Sequence, residues 1–373
     1  MLIGVPKEIK AQEWRVGLTP STVAEAVAHG HVVIVERSAG AGIAATDEEY
    51  RKAGAAIVGT AEEVFARAEM IVKVKEPQSV ERKRLRAGQV LFTYLHLAPD
   101  PEQARDLLAS GVVAIAYETV TSPTGSLPLL APMSEVAGRM SIQVGARFLE
   151  KPQGGRGVLL AGVPGVAPGK VVILGAGMVG TNAAYIASGI GAEVVVMDQS
   201  PEALRRIATQ FGSRVKTVYS AADVIQEHIA NAHLVIGAAL VPGALAPKLV
   251  TRAMLARMKK GAVLVDVSID QGGCFETSRV TTHEAPIFEV DGIVHYGVAN
   301  MPGAVPRTSA FALNNATRTR VLALADRGWK AVLAEDPHLR NGLNICAGRV
   351  THPKVAAALG LPYVDPQTAI ASA

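Results

Sequence analysis

One stretch narrows the possible folds more than any other: Lys170-Val-Val-Ile-Leu-Gly175-Ala-Gly177-Met-Val-Gly180. An apolar run meets glycines spaced G-x-G-x-x-G, and an apolar helical pattern follows at once. In such a strand–turn–helix the first glycine makes the tight turn. The second lets backbone approach a diphosphate, and the third lets helix pack closely on strand. Amide groups at the helix start then face the anion, where the helix dipole favours it. Spacing alone is weak, because glycines mark many turns. Here a second apolar run, Glu193-Val-Val-Val-Met, ends in Asp198, about 20 residues past the glycines, where a ribose-binding acid is required. A carboxylate there suits the ribose hydroxyls of NAD and repels the extra phosphate of NADP. A helix-capping Asp before Pro201 is the plainer alternative, and Arg205 and Arg206 keep NADP in view.

The stretch 171–192 carries no charge and is long enough to cross a bilayer. Its five glycines and its change of character halfway favour strand, turn and buried helix. Around it the chain alternates short apolar runs with helical patterns, the βαβ signature of a parallel sheet. Strands are expected at 2–5, 32–35, 71–74, 90–94 and 114–117, with helices at 21–29, 47–53 and 102–110. After the turn-rich Thr121-Ser-Pro-Thr-Gly-Ser, a long helical pattern runs from Pro132 to Glu150 and reads as a connector. The pattern restarts with strands at 171–174, 193–197, 234–238, 262–267 and 293–298 and helices at 179–190, 202–211, 222–230 and 253–259. Beyond Pro306 it reads as wholly helical, with a long helix at 310–327 and a short one at 354–359.

The fold class that follows is α/β, with two Rossmann-like, doubly wound domains of mostly parallel strands joined by long connector helices. The expected domains are a discontinuous substrate domain, 1–128 plus 307–373, and a dinucleotide domain, 129–306. A length of 373 residues suits two cores, and 49% hydrophobic residues with only 4% aromatics suits buried Val, Leu, Ile and Ala strands. The net charge of +4 is scattered and predicts neither a nucleic-acid nor a membrane partner. Cys274 and Cys346 form no CxxC pair, and Pro6, Lys7 and Glu8 interrupt any signal-peptide stretch. A soluble cytoplasmic protein is expected.

A nicotinamide cofactor carries hydride, so the protein must bind substrate, move protons and stabilise charge. Candidate side chains belong at strand ends. His96 closes Val-Leu-Phe-Thr-Tyr-Leu-His-Leu, and imidazole titrates near neutrality. Strand period puts Lys73 and Lys75 on one face and cannot choose between them, although the later position, beside Pro77, favours an open site. Arg15 follows the first strand and, with a lysine, could hold a carboxylate in bidentate fashion. Asp270 precedes Gln271-Gly-Gly-Cys on a glycine-rich loop, whereas mid-strand Asp266 reads as buried and hydrogen-bonded. Taken singly, each of these has a bland reading as surface cation, structural His or turn-forming Asp. Cys274 lacks a base partner, and hydride transfer needs no thiol.

Several segments together resemble the alanine dehydrogenase family, which includes the pyridine nucleotide transhydrogenase α chain. They are Ile-Gly-Val-Pro-Lys-Glu, Glu-Trp-Arg15-Val-Gly-Leu-Thr-Pro, Val-Lys75-Glu-Pro, Leu-His96-Leu and Tyr117-Glu-Thr. They continue with Leu-Leu-Ala-Pro-Met133-Ser134-Glu-Val-Ala-Gly-Arg, the glycine loop, Asp270-Gln-Gly-Gly-Cys and Val298-Ala-Asn300-Met301-Pro-Gly. The resemblance implies reversible, NAD-dependent oxidative deamination of L-alanine to pyruvate and ammonium. Arg15 and Lys75 would hold the carboxylate, His96 would be the general acid/base, and Asp270 would orient water or ammonia. The cofactor would be lined by Ser134, Gly175, Gly177, Met178, Val179, Gly180, Asp198, Ser220, Ala239 and Leu240. Val267, Ser268, Ile269, Asp270, Arg279, Val298, Ala299, Asn300 and Met301 would complete the lining. A homohexamer is implied as well.

Two departures stand out. Where some relatives carry a metal-binding Glu and His on the late helix, this chain has Ala323 and Arg327, so no metal is expected. Ala203 replaces a basic residue found after the ribose-binding acid in some relatives. The competing readings are a transhydrogenase-type subunit, a non-catalytic NAD sensor and a related amino-acid dehydrogenase acting on a saccharopine-like substrate. The working expectation is that two cations, an imidazole and an aspartate from distant parts of the chain converge on the nicotinamide.

Overall fold

The computed structural model describes residues 1–239 and 246–373. The chain divides into two compact units, Met1–Met133 with Gly303–Ala373, and Ser134–Pro302. In chain order the first unit contributes strands β1 (Leu2–Val5), β2 (Val32–Glu36), β3 (Ala56–Val58), β4 (Met70–Val72), β5 (Val90–Thr93) and β6 (Val113–Ala116). The second contributes β7 (Lys170–Leu174), β8 (Glu193–Asp198), β9 (Val215–Tyr219), β10 (Leu234–Gly237), β11 (Val263–Asp266), β12 (Ile287–Val290) and β13 (Ile293–Tyr296). The chain then returns to the first unit with β14 (Leu343–Cys346) and β15 (Arg349–Val350).

The first sheet runs β3-β2-β1-β4-β5-β6-β14-β15, parallel through β6 and antiparallel at β14 and β15. The second runs β9-β8-β7-β10-β11-β13-β12, parallel except for β12. The six parallel strands of each sheet follow the doubly wound order 3-2-1-4-5-6, in which the chain reverses its winding beside the first strand. That reversal opens a crevice at the carboxyl ends of the strands, where α/β proteins place ligands. The central strands β1, β4, β5, β6, β7 and β10 bury nearly every residue, as strands covered on both faces must.

The helix Pro306–Arg327 supplies Leu313, Val321 and Leu324 to one face of the first sheet, while Val64, Phe65, Leu107 and Val355 cover the other. The uncharged stretch at 171–192 is a strand, a turn and the helix Met178–Gly189. Among the described residues, no helix is long and apolar enough to cross a membrane.

Sequence and structure differ in instructive places. The region beyond Pro306 is not wholly helical, because β14 pairs with β6 and extends the first sheet. The stretch 253–259 forms only the single turn Arg252–Leu255. The strand expected at 71–74 stops at Val72, so Lys73 and Lys75 lie past its end and the alternation rule does not govern them.

Candidate active-site residues

In the first unit, Arg15, Lys75, His96 and Glu118 follow the carboxyl ends of β1, β4, β5 and β6, four neighbouring parallel strands. The sheet thus gathers at one edge residues that are far apart in sequence. The segment bearing Arg15 is pinned by the long helix: Asn314 accepts from the Thr19 N–H at 2.8 Å and donates to the Gly17 carbonyl at 3.0 Å.

Arg15 is 2% exposed. Its Nε and Nη2 pair with the two Glu13 carboxylate oxygens at 2.7 and 2.5 Å, and Nη1 lies 3.0 Å from Met133 Sδ. Burial opposes the charge, but the Glu13 carboxylate keeps the guanidinium pKa above its ordinary value. The expectation of a bidentate grip on substrate therefore needs correction. Glu13 occupies the Nε–Nη2 fork, so that face of the guanidinium is not open to a second carboxylate.

Burial separates the two lysines. Lys73 is fully buried and pairs with Glu8 at 3.0 Å and Glu81 at 2.8 Å. The same Glu8 accepts from the Val74 N–H at 2.6 Å, and Glu81 accepts from the Gln78 N–H at 2.7 Å. Burial works against the Lys73 charge, yet these two carboxylates raise its pKa above the ordinary lysine value. Lys73 thus fixes the loop that presents Lys75, whose ammonium lies 4.0 Å from Glu76.

His96 sits at φ 50°, the left-handed region that a side chain other than glycine enters at a cost of order 1 kcal/mol. Glu118 holds it there, accepting from the Leu95 N–H at 3.2 Å and the His96 N–H at 2.6 Å. The imidazole is exposed, stacks on Tyr94 with ring centres 5.8 Å apart, and lies 3.9 Å from Glu118 Oε1. Tyr94 donates its hydroxyl to the Leu129 carbonyl at 2.6 Å, and burial pushes its pKa far above the usual range. Glu118, Tyr94 and Glu13 had no site role in the sequence reading, because backbone conformation and stacking leave no pattern in it. The Tyr117-Glu-Thr segment was the one available signal for Glu118.

In the second unit the glycine loop lies between β7 and the helix Met178–Gly189, beside the reversal in winding. Gly175 ends the β7 turn, and Gly177 caps the helix in extended backbone. A Cβ on Gly180 would lie 1.8 Å from the Gly175 carbonyl oxygen, so no other residue fits. A Cβ on Gly177 would meet nothing within 4 Å, which leaves open space at the helix start for a diphosphate. Met178 is exposed and Val179 half-buried.

Asp198 accepts from the Ala176 N–H at 2.7 Å and the Ser200 N–H at 2.8 Å, which holds its carboxylate against the glycine loop. Ser200 caps the following helix, accepting from the Ala203 N–H, so capping does not explain Asp198. The Ser220 N–H donates to the Asp198 carbonyl at 3.0 Å. Ser134 is half-buried on the helix Ala131–Phe148, one turn before Gly138, which packs against the Val179 backbone.

On the other side of the crevice, the Ala239 carbonyl accepts from Ser268 Oγ at 2.8 Å. Leu240 lies outside the described residues. Asp266 is buried as expected and accepts from the N–H groups of Ser268, Cys274 and Phe275 and from the Ser278 hydroxyl. Burial raises its pKa despite those donors. Half-buried Val267 and buried Ser268 and Ile269 lead to exposed Asp270 on a single tight turn. Cys274 is fully buried, which pushes its thiol pKa up to about 11.

Arg279 is exposed with its guanidinium 4.2 Å from the Phe288 ring centre. Val298 and Met301 are buried and Ala299 is half-buried; Asn300 takes φ 65° and offers its carbonyl to His283 Nε2 at 3.2 Å. Apart from Ser134 and Arg279, the described residues expected to line a dinucleotide lie at or just past the carboxyl ends of β7, β8, β9, β10, β11 and β13. Each unit's share of the expected site is clustered within that unit.

Comparison with known proteins gives a consistent result. The N-terminal domain of the alanine dehydrogenase/PNT family matches residues 4–137, and its C-terminal domain matches 141–353. An alanine dehydrogenase of Halomonas elongata is 56% identical over 365 residues, 98% of both chains. A solved L-alanine dehydrogenase superposes with TM-score 0.93 at 54% identity, covering 96% of this chain and 99% of that one. A transhydrogenase from Sinorhizobium meliloti gives TM-score 0.81 at 27% identity, covering 95% and 99%.

Proposed function

The chain belongs to the alanine dehydrogenase/PNT family, and from that premise we propose that it is an NAD-dependent L-alanine dehydrogenase. It oxidises L-alanine reversibly to pyruvate and ammonium. The observation that carries this reading is that the segments bearing Arg15, Lys75 and His96 follow the carboxyl ends of three neighbouring strands, a cation–imidazole set suited to a small 2-oxo or 2-amino acid.

When bound, NAD supplies the hydride acceptor. The amides at the start of Met178–Gly189 would hold its diphosphate, and Asp198 its ribose hydroxyls. Arg15 and Lys75 bind and orient the substrate carboxylate. Once the substrate ammonium has given a proton to water, departure of the α-hydrogen as hydride leaves an iminium, whose positive charge a carboxylate stabilises, and we assign that role to Asp270. Water adds to the iminium carbon as Asp270 orients it, and the proton it sheds passes to the amine nitrogen. His96 takes the proton from the carbinolamine oxygen as ammonia leaves and the carbonyl forms, then returns it in the reverse direction. Glu118 keeps the His96 backbone in the conformation that presents the ring.

The direct test follows NADH absorbance while purified protein is supplied with NAD and L-alanine. Alanine-dependent NADH formation is expected, with ammonium-dependent NADH oxidation when pyruvate is supplied. Hydride exchange between nucleotides without any response to alanine would instead favour a transhydrogenase-type activity.

Cofactor choice can be probed separately at Asp198. In Asp198→Ala the KM for NAD should rise about tenfold or more, since a hydrogen bond to a charged group contributes about 1.5–3 kcal/mol. Activity with NADP should change little or improve. An unaltered ratio of kcat/KM between the two nucleotides would remove Asp198 from ribose recognition.

A further inference from the structure

Outside this machinery, one cluster in the first unit has metal-ligand chemistry. His29 caps the end of the helix Pro20–Ala28, His31 precedes β2, and Asp326 lies in the last turn of Pro306–Arg327. His29 Nδ1 is 3.0 Å from Asp326 Oδ2, and His31 Nε2 is 2.7 Å from Asp326 Oδ1. One donor atom from each residue falls within 4.8 Å of the other two. The intervening Gly30 takes φ 86°, which reverses the chain so that both rings face the same carboxylate. The His31 side chain is 7% exposed and that of Asp326 35%, so the cluster is partly desolvated but reachable by a small ion.

We propose that His29, His31 and Asp326 form a binding site for a borderline divalent transition metal, Zn2+ in the first instance, that staples the His29–His31 turn to the end of the long helix. Two imidazoles and one carboxylate are a donor set that zinc accepts, with water completing a tetrahedron. The present separations are those of hydrogen bonds. Ligand atoms about 2.0–2.2 Å from a shared zinc stand slightly farther apart, so a small outward shift of exposed His29 admits the ion. Both rings must offer lone pairs to the ion, so the nitrogens that face Asp326 carry no proton when it is loaded. His31 Nδ1 lies 3.4 Å from the Met1 amino nitrogen, so loading at Nε2, which leaves the ring proton on Nδ1, requires that amino group to turn away. This proposal departs from the expectation of no metal, which was drawn from Ala323 and Arg327; the site uses neither residue.

The experiment uses the full chain, stripped with chelator and dialysed against buffered Zn2+, with bound metal measured per chain. One equivalent is expected for the wild type and near-background metal for Asp326→Asn and for His29→Gln, whose side chain is 42% exposed and which should leave the fold intact. Zn2+ should raise the thermal midpoint of the wild type by a few degrees and leave both variants unmoved. Replacing zinc with Co2+ should give the visible absorption of a four-coordinate site in the wild type alone. Zinc retained equally by His29→Gln and the wild type, or no Co2+ bands in the wild type, would overturn the proposal.

Discussion

Replacing His96 by Asn should lower the rate of alanine-dependent NADH formation by roughly 100- to 10,000-fold, the usual contribution of a positioned general acid/base. Asn is the informative replacement because it tolerates left-handed backbone, and residue 96 sits at φ 50°. The strain held by Glu118 is then unchanged, and only the imidazole is removed. His96→Ala should lose a similar factor. Binding of NADH, measured by fluorescence titration, should stay close to that of the wild type in both. Activity within tenfold of wild type in His96→Asn would take the proton-transfer role away from this residue.

The second large effect is on stability. Lys73→Met should destabilise the first unit by about 3–5 kcal/mol, because it leaves two buried carboxylates without their cation. Glu8 and Glu81 have side chains 2% and 1% exposed, so water cannot replace Lys73. The pH dependence has a definite sign. Burial already raises the Glu8 pKa above its reference value of 4.5, with Lys73 pulling it back, so losing Lys73 raises it further. A group with a raised folded-state pKa favours folding in its protonated form. The deficit should therefore be small below pH 4.5, grow as pH rises, and level off above the folded-state value. Chemical denaturation across that range checks both size and sign. Glu8→Gln added to Lys73→Met should recover part of the loss. A constant deficit at all pH values would mean that packing, not charge, holds this loop.

The legibility of the fold follows how local each signal is. The glycine loop could be read because turn, diphosphate space and helix start lie within eleven consecutive residues, Lys170 to Gly180. Asp198 could be read because the next strand lies directly beside β7 in both sequence and space. The short strands β3, β9, β12, β14 and β15 passed unnoticed. Leu343-Asn-Ile-Cys is only four residues long, too short for its alternation to stand out, and its partner Ile115 lies far back in the chain. Pairing of that kind is decided by an available sheet edge and not by propensity.

By itself the sequence determined the chemistry on offer: a dinucleotide loop, its ribose acid, and an arginine, lysines, histidine and aspartate able to handle a small charged substrate. Only the tertiary structure decided which of them are committed elsewhere. It enclosed Lys73 between Glu8 and Glu81, gave the fork of Arg15 to Glu13, and placed His96 on a backbone held by Glu118. The reason is physical. The strength of a charge and the freedom of a donor depend on burial and on partners brought from distant sequence, which no local pattern of residues encodes.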